Sequence, residues 1–111
     1  GRVIRNSDGS VSHIVEHRDA SEPEREVKEI NSGIYLFDAD GLRAGLANLN
    51  SNNAQNEYYL TDVFGYFRQQ GLPIAAHSSA DFQEIQGINT VDQLENVDEE
   101  FRRRGEETTV A

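Results

Sequence analysis

The stretch Ile34–Phe37, "IYLF", is the strongest constraint this chain places on its own fold. Four consecutive apolar residues, β-branched and aromatic among them, read as a strand buried on both faces. Such a strand needs hydrogen-bonded neighbours along its edges and helices over its faces. The flanking sequence offers both. "RVIR" and "VSHIVE" bracket "NSDGS", where Asp8-Gly9 is a tight-turn signal, so residues 2–16 are predicted to form a β-hairpin. The charged segment "HRDASEPEREVKE" is a connection with a short helix near Pro23–Val27, and Pro23 suits its first turn.

After the apolar run, Asp38 or Asp40 can cap a helix whose Leu42, Leu46 and Leu49 share a core-facing stripe. A polar loop at about 50–58 leads to a second helix, with Leu60, Val63, Phe64 and Phe67 on its apolar face and Gly71 ending it. "LPIAAHS" reads as a strand with Pro73 near its start, and "DFQEIQGIN" as a strand or turn. Thr90 and Gln93 have capping-box spacing for a third helix, on which Val91, Leu94, Val97 and Phe101 share a face. Strands alternating with helices place the chain in the α/β or α+β class. Residues 1–104 carry this pattern, while 105–111 lose periodicity and read as a linker or frayed tail.

Charge narrows the partners. Ten Lys and Arg face twenty Asp and Glu, a formal net charge of −10, so the general field favours neither nucleic acid nor an anionic membrane. A phosphate substrate needs cations that are local or supplied by a metal or another segment. The chain has no cysteine, hence no disulfide framework and no thiolate chemistry, which fits a cytoplasmic protein. No apolar run approaches the roughly 18 residues of a membrane span, and no signal-peptide pattern opens the chain. Gly1 leads straight into strand-like residues, the expectation for an excised piece of a longer protein. Neither common glycine-rich phosphate loop is present. His13, His17 and His77 fit no zinc spacing and read as ordinary surface or half-buried histidines.

What remains is a set of amides and carboxylates at the ends of predicted elements. Glu16 ends the hairpin, Asn31 precedes Gly33, and Asn89 precedes a helix N-terminus. In open α/β sheets ligands gather at such strand ends. Carboxylates and amides there can hydrogen-bond sugar hydroxyls, and an Asn oxygen can ligate magnesium. Taken singly, each Asn reads first as a cap or turn residue.

Taken in order, "GRVIR", "IVEHRDA", "EINSGIYLFD", "NNAQNEYYLTD" and "GIN" resemble the second half of the uridyltransferase domain of bacterial N-acetylglucosamine-1-phosphate uridyltransferase. The resemblance runs from Gly1 to about Arg104. It implies a partial Rossmann-like nucleotidyltransferase fold, without the nucleotide-binding half and without the left-handed β-helix acetyltransferase domain usual in that family. The implied reaction joins N-acetylglucosamine 1-phosphate to UTP, with Mg²⁺, releasing pyrophosphate and UDP-N-acetylglucosamine for cell-wall precursors. By resemblance, the Gly1 backbone and the Glu16 and Asn31 side chains hold the sugar, and Tyr59 and Thr61 line the pocket for the ring and its N-acetyl group. Asn89 would ligate magnesium together with an aspartate of the half not represented here. No catalytic residue is expected in these 111 residues, which are expected to be inactive alone and to self-associate through uncovered sheet edge and helix faces. Activation of another sugar 1-phosphate, and a non-catalytic binding or assembly module, are the competing readings. The family usually has glycine where this chain has Asn56, so Asn56 is predicted in the left-handed backbone region.

Overall fold

The computed structural model describes residues 1–110, with side chains described through residue 106. They form two compact units, Gly1–Ser78 and a second beginning at Ser79.

The first unit starts with the expected hairpin. Strands β1 (Arg2–Arg5) and β2 (Val11–Val15) pair antiparallel, Val3 opposite Ile14, with a register irregularity between Ile4 and Arg5. The turn closes as its residues dictate: Gly9 adopts φ 86°, and the Asp8 carboxylate accepts from the Ser10 amide at 2.9 Å. Helix α1 (Glu22–Arg25) carries a capping box, in which Ser21 and Glu24 each satisfy a backbone amide of the other. The chain then returns along the free edge of β1. The Val3 amide donates to the Glu29 carbonyl at 2.9 Å, and the Asn31 amide donates to the Gly1 carbonyl at 3.0 Å.

This pairing stops before the apolar run, which corrects the expectation of a doubly buried strand at Ile34–Phe37. Gly33 turns the chain at φ 78°, its amide held by the Asn31 side chain. Beyond it, 34–37 pairs with no strand among the described residues. Alternate side chains go to opposite sides, as extended backbone requires. Tyr35 and Phe37 pack on Phe64, with ring centroids 5.5 and 5.4 Å apart. Ile34 and Leu36 stay 78% and 100% exposed. One face of the run is covered within this unit and the other is bare.

Helix α2 (Ala39–Ala47) begins at Asp38, whose carboxylate accepts from the Gly41 amide at 2.8 Å. Its inner face differs from the predicted leucine stripe. Leu46 is exposed, Leu49 lies past the helix end, and the buried residue is Gly45. The reason is close approach by the next helix. A Cβ on Gly45 would lie 2.8 Å from Val63 Cγ1, and one on Gly41 would lie 2.9 Å from Phe67 Cζ. That next helix, α3 (Val63–Gln69), follows a 3-10 turn at Leu60–Asp62 and buries Val63 and Phe67. Gly71 ends it as predicted: φ is 68°, and the Leu72 amide reaches back to the Phe67 carbonyl at 2.9 Å, a Schellman closure. "LPIAAHS" is not a strand; 72–78 finds no pairing partner among the described residues.

In the second unit, "DFQEIQGIN" contains a 3-10 turn at Phe82–Ile85, and α4 (Val91–Val110) follows. The predicted capping box is present. Thr90 Oγ1 accepts from the Gln93 amide at 3.2 Å, and Gln93 Oε1 accepts from the Thr90 amide at 3.2 Å. Arg104 bonds Glu100, Asp81 and Gln83, tying α4 to the 3-10 turn. Val91, Leu94 and Phe101, predicted to share a face, are exposed. The stretch read as a linker or frayed tail, 105–111, falls within α4 up to Val110, and Ala111 lies outside the described residues. Helices with a small antiparallel sheet are compatible with part of an α/β fold.

The α2–α3 contact is testable by two glycines. Helix propensity alone favours Ala over Gly by about 1 kcal/mol. Gly65 of α3 has open space where a methyl group would stand, so Gly65→Ala is expected to stabilise by about that amount. Gly45→Ala meets Val63 and is expected to destabilise by roughly 1–2 kcal/mol, overpacking outweighing propensity. Urea denaturation midpoints decide it; equal stabilisation by both changes would refute the close approach.

Candidate functional site

Where β2 ends, its backbone turns: the Asp19 amide donates to the Glu16 carbonyl at 3.0 Å. Glu16 and Asp19 thereby stand at the two ends of one turn. Facing them is the amide-rich loop. Asn53 Oδ1 accepts from the Gln55 and Glu57 amides, each at 3.2 Å, and Asn53 Nδ2 donates to the Glu57 carbonyl at 2.6 Å. Asn56 has φ 53°, in the left-handed region, as predicted. The loop delivers Tyr59, whose hydroxyl accepts from Gln55 Nε2 at 2.7 Å. Thr61 follows in the 3-10 turn ahead of α3.

Between these segments lies an open cleft of about 250 Å³, bordered by Glu16, Asp19, Asn53, Tyr59, Thr61 and Asp62 among others. It falls below the roughly 300–1,000 Å³ of drug-sized ligand sites. A single sugar ring suits it better than a whole nucleotide sugar. Thr61 is 7% exposed, and its Oγ1 has no hydrogen-bond partner among the described residues.

The cleft is electrically negative. Burial, with the Asp19 and Glu16 charges adding to it, holds the Asp62 carboxyl above its usual range. Burial likewise raises the Tyr59 phenol, the Gln55 hydrogen bond opposing and the Asp19 charge adding. His13 borders the cleft, but both ring nitrogens are engaged: Nε2 lies 3.0 Å from Glu24 Oε2 and Nδ1 2.9 Å from Ser12 Oγ. That matches its reading as an ordinary histidine.

Of the six residues singled out in the sequence, Glu16, Tyr59 and Thr61 border the cleft. The Gly1 nitrogen lies 3.5 Å from Glu16 Oε2, and Asn31 is tied to Gly1 through the backbone. The Asn31 side chain is taken up locally, accepting from the Tyr35 hydroxyl at 2.6 Å and from the Gly33 amide at 3.1 Å. Asn89 belongs to the second unit, where it is exposed. Asp19, Asn53 and Asp62 were not singled out. Asp19 and Asp62 are two of twenty acidic residues, and nothing in the sequence marks them. Among the described residues no group of three His, Cys, Asp or Glu is placed to hold a metal ion. Asn89 offers one carboxamide oxygen, whereas Mg²⁺ demands a near-octahedral oxygen set. The described residues do not make a magnesium site by themselves.

Comparison with known proteins places the chain alongside part of a larger protein. "Bifunctional protein GlmU" of Corynebacterium efficiens is 50% identical over 104 residues, 94% of this chain and 21% of that protein. The Streptococcus thermophilus protein of the same name is 49% identical over 94% of this chain and 23% of its own length. That of Corynebacterium glutamicum is 48% identical over 94% and 21% respectively. The chain is homologous to a segment of these bifunctional proteins and spans about a fifth of the length of the relatives it matches. No protein-family model matches it.

The Asp62 environment has a pH signature. Its folded pKa is raised, so folding favours the protonated form. That contribution is full below the ordinary value of 3.8 and is lost as pH rises through the folded value. Asp62→Asn is therefore expected to raise the melting temperature at pH 7 and to have no effect on it below about pH 3.8. Melting curves across pH check this; a gain equal at all pH values would remove the electrostatic cause.

Proposed function

We propose that this chain is the sugar-binding portion of an N-acetylglucosamine-1-phosphate uridyltransferase, a cytoplasmic enzyme with a Rossmann-like nucleotidyltransferase fold. The whole enzyme transfers a uridylyl group from UTP to the sugar 1-phosphate, giving pyrophosphate and UDP-N-acetylglucosamine for cell-wall precursor synthesis. The observation that carries this reading is a cleft of sugar size bordered by Glu16, Tyr59 and Thr61. The Glu16 carboxylate accepts from ring hydroxyls. Thr61 exchanges a hydrogen bond with the substituent nearest it. The Tyr59 ring gives an apolar wall for a methyl group and a hydroxyl at its rim.

The charge of the cleft orients the substrate. Glu16 and Asp62 disfavour a phosphate between them, so the neutral hydroxyl-bearing ring occupies the cleft and the phosphate points out. Phosphoryl transfer is carried by cations around the transferring group. A bound magnesium would supply part of that charge, with Asn89 as one ligand and the others from outside the described residues. The 111 residues alone therefore lack the means of catalysis. The bare Ile34–Leu36 face also makes the isolated chain prone to self-association.

Pyrophosphate release by the full-length protein, with UTP, Mg²⁺ and a panel of sugar 1-phosphates, tests the reading. N-acetylglucosamine 1-phosphate is expected to lead the panel by at least about tenfold in kcat/KM. A lead by glucose or mannose 1-phosphate moves the assignment to another sugar, and no turnover with any makes the chain a binding module. Thr61→Val is expected to raise the KM for the sugar 1-phosphate by about tenfold, the loss of one hydrogen bond, with the KM for UTP unchanged. The same change is expected to raise the melting temperature of the free protein, since it removes an unpaired polar group. The 111-residue chain alone is expected to show no turnover.

A further inference from the structure

We infer that Asp19 is a positioning residue: it clasps the 52–58 amide loop to the turn after β2 and, through Gln55, sets where the Tyr59 hydroxyl stands. The inference rests on the reading of the cleft as a sugar site, and it assigns Asp19, which borders that cleft, a role exercised on the loop.

The geometry is specific. Asp19 Oδ1 accepts from the Ala54 amide at 2.8 Å, joining segments 35 residues apart. The other described hydrogen bonds of the loop are local, among them Asn50 to Asn52, Asn53 to Gln55 and Glu57, and Asn53 to Asn56. Local bonds give the loop a shape but do not say where that shape sits. The Asp19–Ala54 bond does, and a carboxylate acceptor makes it stronger than its neutral neighbours. Downstream of Ala54 comes Gln55, whose amide nitrogen bonds the Tyr59 hydroxyl at 2.7 Å. Upstream, the Asp19 amide is bonded to the Glu16 carbonyl. One aspartate thus couples the two walls of the cleft: the turn that presents Glu16 and the loop that presents Tyr59. The role requires an acceptor oxygen at this position rather than a negative charge, and that distinction can be tested.

The experiment uses the full-length protein and three variants. Asp19→Ala removes the acceptor, Asp19→Asn keeps an acceptor oxygen without the charge, and Gln55→Leu cuts the link to Tyr59. Hydrogen exchange, read by mass spectrometry on a peptide spanning about residues 50–60, reports loop placement whatever the enzyme acts on. Steady-state kinetics report its consequence. Asp19→Ala is expected to speed exchange of that peptide by about tenfold and to raise the KM for N-acetylglucosamine 1-phosphate about tenfold, with kcat and the KM for UTP within about twofold. Asp19→Asn is expected to stay within about threefold of wild type in both. Gln55→Leu is expected to raise the sugar KM with loop exchange unmoved, and it carries the kinetic test should Asp19→Ala not fold. Wild-type exchange in Asp19→Ala, or equal impairment in Asp19→Asn, overturns the clasp. An unchanged sugar KM in Gln55→Leu overturns the relay to Tyr59. If wild-type protein does not turn over the sugar phosphate, the functional reading fails while the exchange comparison of Ala against Asn still decides the clasp.

Discussion

Val63 meeting Gly45 is the contact on which the first unit depends. Val63 is fully buried, and the helix it belongs to comes so near α2 that only glycine fits opposite. Because α3 sits there, Phe64 and Phe67 face Phe37, with centroids 5.4 and 5.8 Å away, and the extended segment acquires one covered face. Because α3 sits there, the 3-10 turn before it holds Thr61 inside and brings Asp62 to the cleft. A branched side chain in the place of Gly45 would push on all of these at once, since close-packed interiors pass strain along rather than absorb it.

What could be read in the sequence divides by range. Features closed by residues a few positions apart were legible: the Asp8-Gly9 turn, the Thr90–Gln93 capping box and the Gly71 stop. Each follows from a backbone requirement that its own residue type meets. Features that need a distant partner were not. "IYLF" and "LPIAAHS" have strand composition, but a strand is a relation between two segments, and neither finds a partner among the described residues. The leucine stripe of α2 failed for a related reason: periodicity marks an apolar face but does not reveal that a neighbour will come close enough to prefer glycine.

The site shows the same division. Glu16, Tyr59 and Thr61 were singled out through a resemblance over ordered motifs. Asp19 and Asp62 were passed over because an acidic residue in an acidic chain carries no mark of its own. Only packing distinguishes them, by raising one carboxyl and giving the other a backbone amide to hold.

The one-sided cover of residues 34–37 has a consequence in time. The hairpin and its turn are local and can form as soon as they are made. The aromatic face of the extended segment must wait for Phe64 and Phe67, about 30 residues later, which at 5–20 residues per second is on the order of 2–6 s of synthesis. Through that interval an apolar, extended segment with free backbone groups stands in water on a nascent chain. Its most hazardous moment is therefore during its making, and the seconds before α3 emerges are when a chaperone has the most to hold.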